Sequence, residues 1–276
     1  MKNLFLTMAA FLFSLSALAT PPINSGSVST ATGGSGRGTT EPIDGVLLNP
    51  AMIGLLSSKI LSATYTNQQW GVTIADNGKE ALFPAALAFV RTDVEGFKTQ
   101  QVSVGLSYVF KKMFAIGTNL SLLEYSSEAI NRDEKYRQSV ADIGLMFSPG
   151  AEFGVGLVAN KVASSTTDLD ETLQKQQTLG LGFQYTYLSF VRFRFDIESG
   201  PKNKTERLVY MGGVETYMND WMILRFGYQN NNVVSKNYST VGLGFSGPQF
   251  SLHYAYISNV ANNRDDQHSI DLGIPF

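Results

Sequence analysis

Only two side chains in the 276 residues, His253 and His268, can act as a base near neutral pH, and Ser251 stands two positions from His253. A serine beside a histidine is the beginning of a nucleophile and its base. Alternate residues of a strand lie side by side on one face, however, and no carboxylate is placed by spacing to orient the imidazole. Two histidines without cysteine or a spaced carboxylate motif also fall short of a metal site. The sequence thus offers no catalytic residue, no metal ligand set and no cofactor. What it offers is charge at every second position: Arg192, Arg194, Asp196 and Glu198 alternate with Val191, Phe193, Phe195 and Ile197. Asp142, Glu215, Arg225 and His253 take the same phase in their own runs. Charges of both signs on the inner face of a lumen can pair across it, either stiffening the wall or selecting what passes.

That spacing demands strands with one apolar face. The clearest pair spans residues 98–125, where Val102, Val104, Leu106, Tyr108 and Phe110 share one face and Gln101, Ser103, Gly105 and Ser107 the other. After Lys111 and Lys112 the alternation resumes with Phe114, Ile116, Leu120 and Leu122. Each arm is twice as long as a typical soluble strand, and its second face is small and polar rather than charged. Such a strand turns its apolar side to lipid and its polar side to a lumen.

Fourteen runs of this kind follow residue 59, among them 81–91, 136–148, 153–164, 174–187, 189–199 and 206–217. The connections alternate between tight (Lys111–Lys112, Leu188, Gly247–Pro248) and long and polar (126–135, 165–173, 259–266). Aromatics flank the tight turns: Phe110 and Phe114, Phe147 and Phe153, Tyr187 and Phe190, Tyr217 and Trp221, Phe245 and Phe250. An even strand count, alternating loop lengths and an aromatic girdle at one end describe an all-β, transmembrane antiparallel β-barrel over residues 59–276. Pro84 marks an irregularity or a bulge, since proline removes a ladder hydrogen bond. The glycines at inward positions, such as Gly154, Gly156, Gly180, Gly182, Gly242 and Gly244, either leave room inside or permit the close approach of a plug.

The ends of the chain agree. Residues 1–19 carry Lys2, an apolar run and the ending Ala17-Leu18-Ala19, the pattern of a cleaved signal peptide. Residues 20–40 are rich in Gly, Ser and Thr, a composition that reads as a flexible lead. Asn49 is a good N-cap and Pro50 suits a first helical position, so a short apolar helix with Ala51, Met52, Leu55 and Leu56 is expected, buried as a hatch. Residues 20–58 thus form a lead and plug ahead of the wall. The last strand alternates Ile270, Leu272, Ile274 and Phe276 on the lipid phase, like the terminal signal by which barrel-assembly machinery recognises its clients. With a net charge of -2 and no cysteine, neither nucleic-acid binding nor a disulfide framework is indicated. A bacterial outer membrane, its lipid and a hydrophobic small-molecule ligand are the expected surroundings.

Fourteen strands behind a segment carrying Asn49-Pro50-Ala51 in LLNPAMIGLL resemble the long-chain fatty acid transporters of outer membranes, the FadL type. The resemblance implies a hatch-plugged barrel passing hydrophobic molecules by diffusion. The chain is shorter than typical members, and its outer loops lack the family's long apolar capture segments. That favours a reduced passive channel over high-affinity fatty acid capture. A structural or partner-binding barrel and a small polar-solute porin are the alternatives; an enzyme is not expected.

Overall fold

The computed structural model describes residues 26–40, 45–94, 96–127, 131–261 and 266–276, for 131–134 and 203 the backbone alone. Residues 1–19, expected to be a signal peptide, lie outside the described residues. Fourteen antiparallel strands close into one barrel: β1 (Ile60–Thr66), β2 (Gln69–Asp76), β3 (Ala85–Val94), β4 (Phe97–Phe110), β5 (Phe114–Ser127), β6 (Asn131–Gly150), β7 (Phe153–Ser164), β8 (Thr178–Tyr187), β9 (Val191–Ser199), β10 (Leu208–Tyr217), β11 (Met222–Asn231), β12 (Lys236–Ser246), β13 (Ser251–Asn259) and β14 (Gln267–Pro275). Every strand pairs with its sequence neighbours, and β1 closes on β14 with Ile60 opposite Pro275 and Thr66 opposite Ser269. Closure leaves no sheet edge, so the wall satisfies its own peptide groups in lipid. No helix among the described residues is long and apolar enough to cross a membrane.

Side chains obey the period of two throughout. Val102, Val104, Leu120, Leu122, Leu243 and Leu272 are exposed on the outer face, while Ser103, Ser121, Gly242 and Asp271 face inward and are buried. Ile270, Leu272, Ile274 and Phe276 occupy the outer face. At the short-turn end the aromatics form two runs of contacting rings: Phe114 to Phe147 at 4.6 Å, Phe147 to Phe153 at 6.2 Å and Phe153 to Phe183 at 5.4 Å, then Trp221 to Phe245 at 6.5 Å and Phe245 to Phe250 at 5.4 Å between ring centroids.

Two strands start four residues later than the sequence suggests. β3 begins at Ala85 rather than 81, because Gly78 takes φ +76° and Pro84 has no N–H to give; residues 77–84 leave the sheet, and the Pro84 carbonyl accepts from Ser107 N at 3.1 Å. β8 begins at Thr178 rather than 174, because residues 165–177 fold back over the mouth.

Residues 26–40 and 45–58 lie inside the barrel. The former contain α1 (Ser27–Ala31), the latter α2 (Gly45–Leu48) and a 3-10 helix, Pro50–Leu55. The flexible lead expected from composition does not hold for 26–40: Ser27, Ser29, Thr32, Ser35 and Thr39 are buried. A segment poor in large apolar groups cannot order itself against a hydrophobic core, but it orders against the barrel's polar inner wall through hydrogen bonds, ion pairs and close backbone packing. The expected two-turn helix is the tighter 3-10 form, capped as anticipated by Asn49, whose Oδ1 accepts from Ala51 N at 3.1 Å.

Candidate functional site: a lumen filled by two unlike halves

Residues 26–40 face β7–β14 and are held by polar groups. Ser27 N donates to Asp271 Oδ2, and Ser27 Oγ lies 3.0 Å from Ser269 Oγ. Thr240 Oγ1 donates to the Ala31 carbonyl at 3.0 Å and accepts from Gly33 N at 3.1 Å. Asp196 Oδ2 accepts from Gly36 N at 3.0 Å, Arg37 N at 2.9 Å and Arg37 NH1 at 3.2 Å, while Arg37 NH2 pairs with Glu198. The guanidinium of the segment thus neutralises both acids of β9.

The remaining charges of that wall form a second group. Glu215 is 0 % exposed; its Oε2 accepts from Arg225 Nε at 2.7 Å, and its Oε1 lies 3.5 Å from Arg192 NH1. Arg194 NH2 forms an ion pair with the same Oε1 at 2.6 Å. Arg225 NH1 reaches His253 Nδ1 at 3.1 Å, so the histidine of the Ser251–His253 pair belongs to this network. These residues pair between adjacent strands, across β12 at Arg225–His253, and with the inserted segment rather than across open water. Asp142 is apart from both groups: its Oδ1 accepts from Lys161 N at 2.8 Å and its Oδ2 from Lys175 Nζ at 2.6 Å.

Residues 45–58 face β1–β6 and are apolar. Val46, Ala51, Met52, Ile53 and Leu56 pack with Ile60, Ala75, Ala86, Ala115 and Met146, and Leu55 lies at the edge of that cluster. Polar ties are few: Ser107 Oγ donates to the Ala51 carbonyl at 2.9 Å and Asn77 Nδ2 to that of Leu56 at 3.1 Å. Asn49 joins the two halves, its Nδ2 donating to Arg37 O at 2.9 Å and to Leu145 O at 3.2 Å on the wall.

The inward glycines permit close approach; they do not leave space. A methyl on Gly117 would overlap Pro50 and Ala51, one on Gly144 would overlap Asn49, and those on Gly154 and Gly156 would overlap Gly38 and Arg37. Gly213 and Gly227 admit Thr32 and Gly33, and Gly242 admits Ala31. The inserted chain is inlaid into a track of bare wall backbone.

The long-loop end carries its own apolar cluster, which the sequence reading missed. Leu169 is buried with Leu123, Tyr125 and Val140, flanked by Phe97, Tyr136 and Leu173. Two leucines of 165–177, four residues apart, suffice where no long apolar segment exists. The loop is shaped by Asp170, whose Oδ1 accepts from Thr172 Oγ1 at 2.6 Å and Thr172 N at 2.9 Å; these bonds hold its carboxyl below the usual carboxylate range. It is fastened by Lys175 to Asp142 and by Gln138 Nε2 to Gln174 Oε1 at 2.8 Å. Beneath it β7 bulges: Ile143 pairs with Ala159 but Ala141 with Ala163, and the Asp142 carboxylate fills the gap. Asp142→Asn keeps the shape and removes the charge of this tie. It is expected to speed protease cleavage within 165–177 about tenfold, as for a lost charged hydrogen bond, while the unfolding temperature of the barrel changes little; limited proteolysis beside a melting curve checks both.

Arg37 is the candidate functional residue that sequence reasoning did not single out; for the Gly track it left room inside and close approach of a plug both open. Its signal was a lone arginine in GSGRG against two acids of β9 lacking a stated partner.

No family model and no curated protein matches the chain. Among solved structures it is similar to the Pseudomonas putida toluene transporter TodX (TM-score 0.71, 10% identity, 92% of this chain and 99% of that one). It is also similar to the CymD monoaromatic hydrocarbon channel (TM-score 0.64, 12% identity, 94% and 99%) and to a Pseudomonas aeruginosa FadL homologue (TM-score 0.63, 10% identity, 91% and 98%). At such identity the likeness lies in the course of the backbone, and on that ground the fold of this chain is the fourteen-stranded FadL-type membrane barrel.

Proposed function

We propose that the chain is an outer-membrane barrel through which small hydrophobic or amphipathic molecules pass by diffusion, gated by the part of its N-terminal segment that is held mainly by apolar packing. The carrying observation is the division of the lumen. Residues 26–40 are pinned by buried ion pairs, whereas Pro50–Leu55 rests on an apolar bed that a hydrophobic solute can replace contact for contact. Burial of apolar surface has no directional requirement, so exchanging one greasy occupant for another costs little. The solved barrels described as a toluene transporter and a monoaromatic hydrocarbon channel support this solute class. Residues 1–19 as an export signal and Ile270, Leu272, Ile274 and Phe276 as the signal read by barrel-assembly machinery belong to the same reading.

Removing residues 45–58 tests it. In liposomes the shortened protein is expected to pass small solutes at least about tenfold faster than the full chain, because one side of the lumen loses its filling. Unchanged flux through a folded barrel would overturn the gate. It would favour a second reading, a structural barrel that never opens, to which the buried Arg37–Asp196 lock also lends itself.

A further inference from the structure

Directly above the bed of Pro50–Leu55, the inner wall changes character. In successive inward rows, Gly105 pairs with Asn119 and Ser103 with Ser121; on the far side Asn119 pairs with Asp142. Polar groups around Asn119 are spoken for. Ser103 Oγ and Ser121 Oγ lie 2.9 Å apart, and Gln101 Nε2 donates to both, at 2.8 and 3.2 Å. Both oxygens of Asp142 are taken by Lys161 and Lys175. Asn119 itself is 4 % exposed, and its Oδ1 has no hydrogen-bond partner. A buried amide oxygen left unpaired is costly and rare, and it asks for a donor.

What lies beside it is the tip of Ile53. A Cβ placed on Gly105 would stand 2.7 Å from Ile53 Cδ1 and 3.9 Å from Asn119 Oδ1, so the methyl fills the dimple over Gly105 next to the unpaired oxygen. Beyond the serines comes the apolar cluster of Leu123, Val140 and Leu169. A solute passing between the two apolar clusters therefore crosses a polar stretch, Asn119 and then the mutually bonded Ser103–Ser121 row, in which Asn119 Oδ1 is the oxygen without a partner.

The geometry points to Asn119 as a specificity-determining residue: it accepts a hydrogen bond from the hydroxyl of a small uncharged phenol or alcohol whose apolar body takes the place of Ile53 over Gly105. This rests on the channel reading and narrows it, from hydrocarbons in general to solutes with one donor. A pure hydrocarbon leaves Oδ1 unpaired as Ile53 does.

The test uses the full mature chain in detergent micelles with three ligands of similar size, para-fluorophenol, para-fluoroanisole and fluorobenzene, followed by fluorine NMR against protein-free micelles. The phenol is expected to bind about tenfold tighter than either other ligand, the usual reach of one buried hydrogen bond. Asn119→Leu, checked for folding by its heat-modifiable electrophoretic mobility, is expected to bring that ratio to about one. Equal affinities in the unmodified chain, which need no variant to fold, overturn the inference and leave the channel reading standing. So does a folded Asn119→Leu that keeps the ratio, since the donor then binds elsewhere. Binding of none of the three overturns the inference and the channel reading together.

Discussion

Glu215→Ala is expected to lower the unfolding temperature of the barrel by roughly 10 °C or to prevent folding altogether. Glu215 is fully buried and is the anion shared by Arg192, Arg194 and Arg225, whose side chains are 14%, 1% and 1% exposed. Removing one partner of a single buried pair costs about 3–5 kcal/mol, because the other charge is left in a medium that cannot solvate it. Here one carboxylate faces three guanidiniums, and its loss sets like charges against one another on β9 and β11, either side of β10. At roughly 2–4 °C per kcal/mol for a chain of this size, a shift of that order follows. The readout is the temperature at which the electrophoretic mobility changes from folded to unfolded.

A second variant separates charge from volume. Combining Glu215→Gln with Arg194→Met removes one charge of each sign, and well-packed neutral replacements of buried ion pairs are often tolerated. The double variant should recover more than half of the loss. If Glu215→Ala alone shifts the transition by less than about 2 °C, water reaches these guanidiniums and the network is not dry.

The wall was legible in the sequence because its rule is local. A residue two positions away predicts which face a side chain takes, and 191–199 shows this without any partner strand: Phe193 and Phe195 lie outside, Arg194 and Asp196 inside. The aromatic belt followed from turn positions, and Glu215 took the inward phase despite the Gly212-Gly213 pair before it. The segment 26–40 was not legible, because nothing within it specifies its place. Its partners lie far along the chain: Asp196 is 159 residues from Arg37, and Asp271 is 244 from Ser27. A rule that equates order with apolar content assumes a hydrophobic core, whereas this segment binds a polar surface that exists only once fourteen strands have closed. The two readings of the glycines had the same origin. Spacing shows that Gly117 and Gly156 face inward, but only the inlaid backbone of Pro50 and Arg37 shows that they form a seat.

That seat gives the variant with the largest expected effect on permeation, Gly117→Val. Gly117 pairs with Ser107 and Gly144 across the ladder, in a strand whose outer neighbours Ile116 and Thr118 are undisturbed. Valine suits a strand, so the wall itself should tolerate it. The new side chain, however, would occupy the space of the Pro50 carbonyl and the Ala51 amide, which are backbone and cannot rotate away. Overpacking of even one or two methylenes costs about 1–3 kcal/mol where side chains can adjust. Against that stand the apolar contacts of Met52 and Ile53, each giving about 1.5–3 kcal/mol for full burial. A solute-filled or water-filled lumen replaces part of that burial, so Pro50–Leu55 is expected to leave its bed while Arg37 stays paired with Asp196. Flux of small solutes should rise toward that of the chain lacking 45–58, with the folded mobility retained. Gly156→Val, aimed at Arg37 in the pinned half, should instead destabilise the barrel more than it opens it, because the displaced group carries buried charge. If both variants raise flux equally, the two halves move as one body, and the division between a fixed polar inlay and a movable apolar one fails.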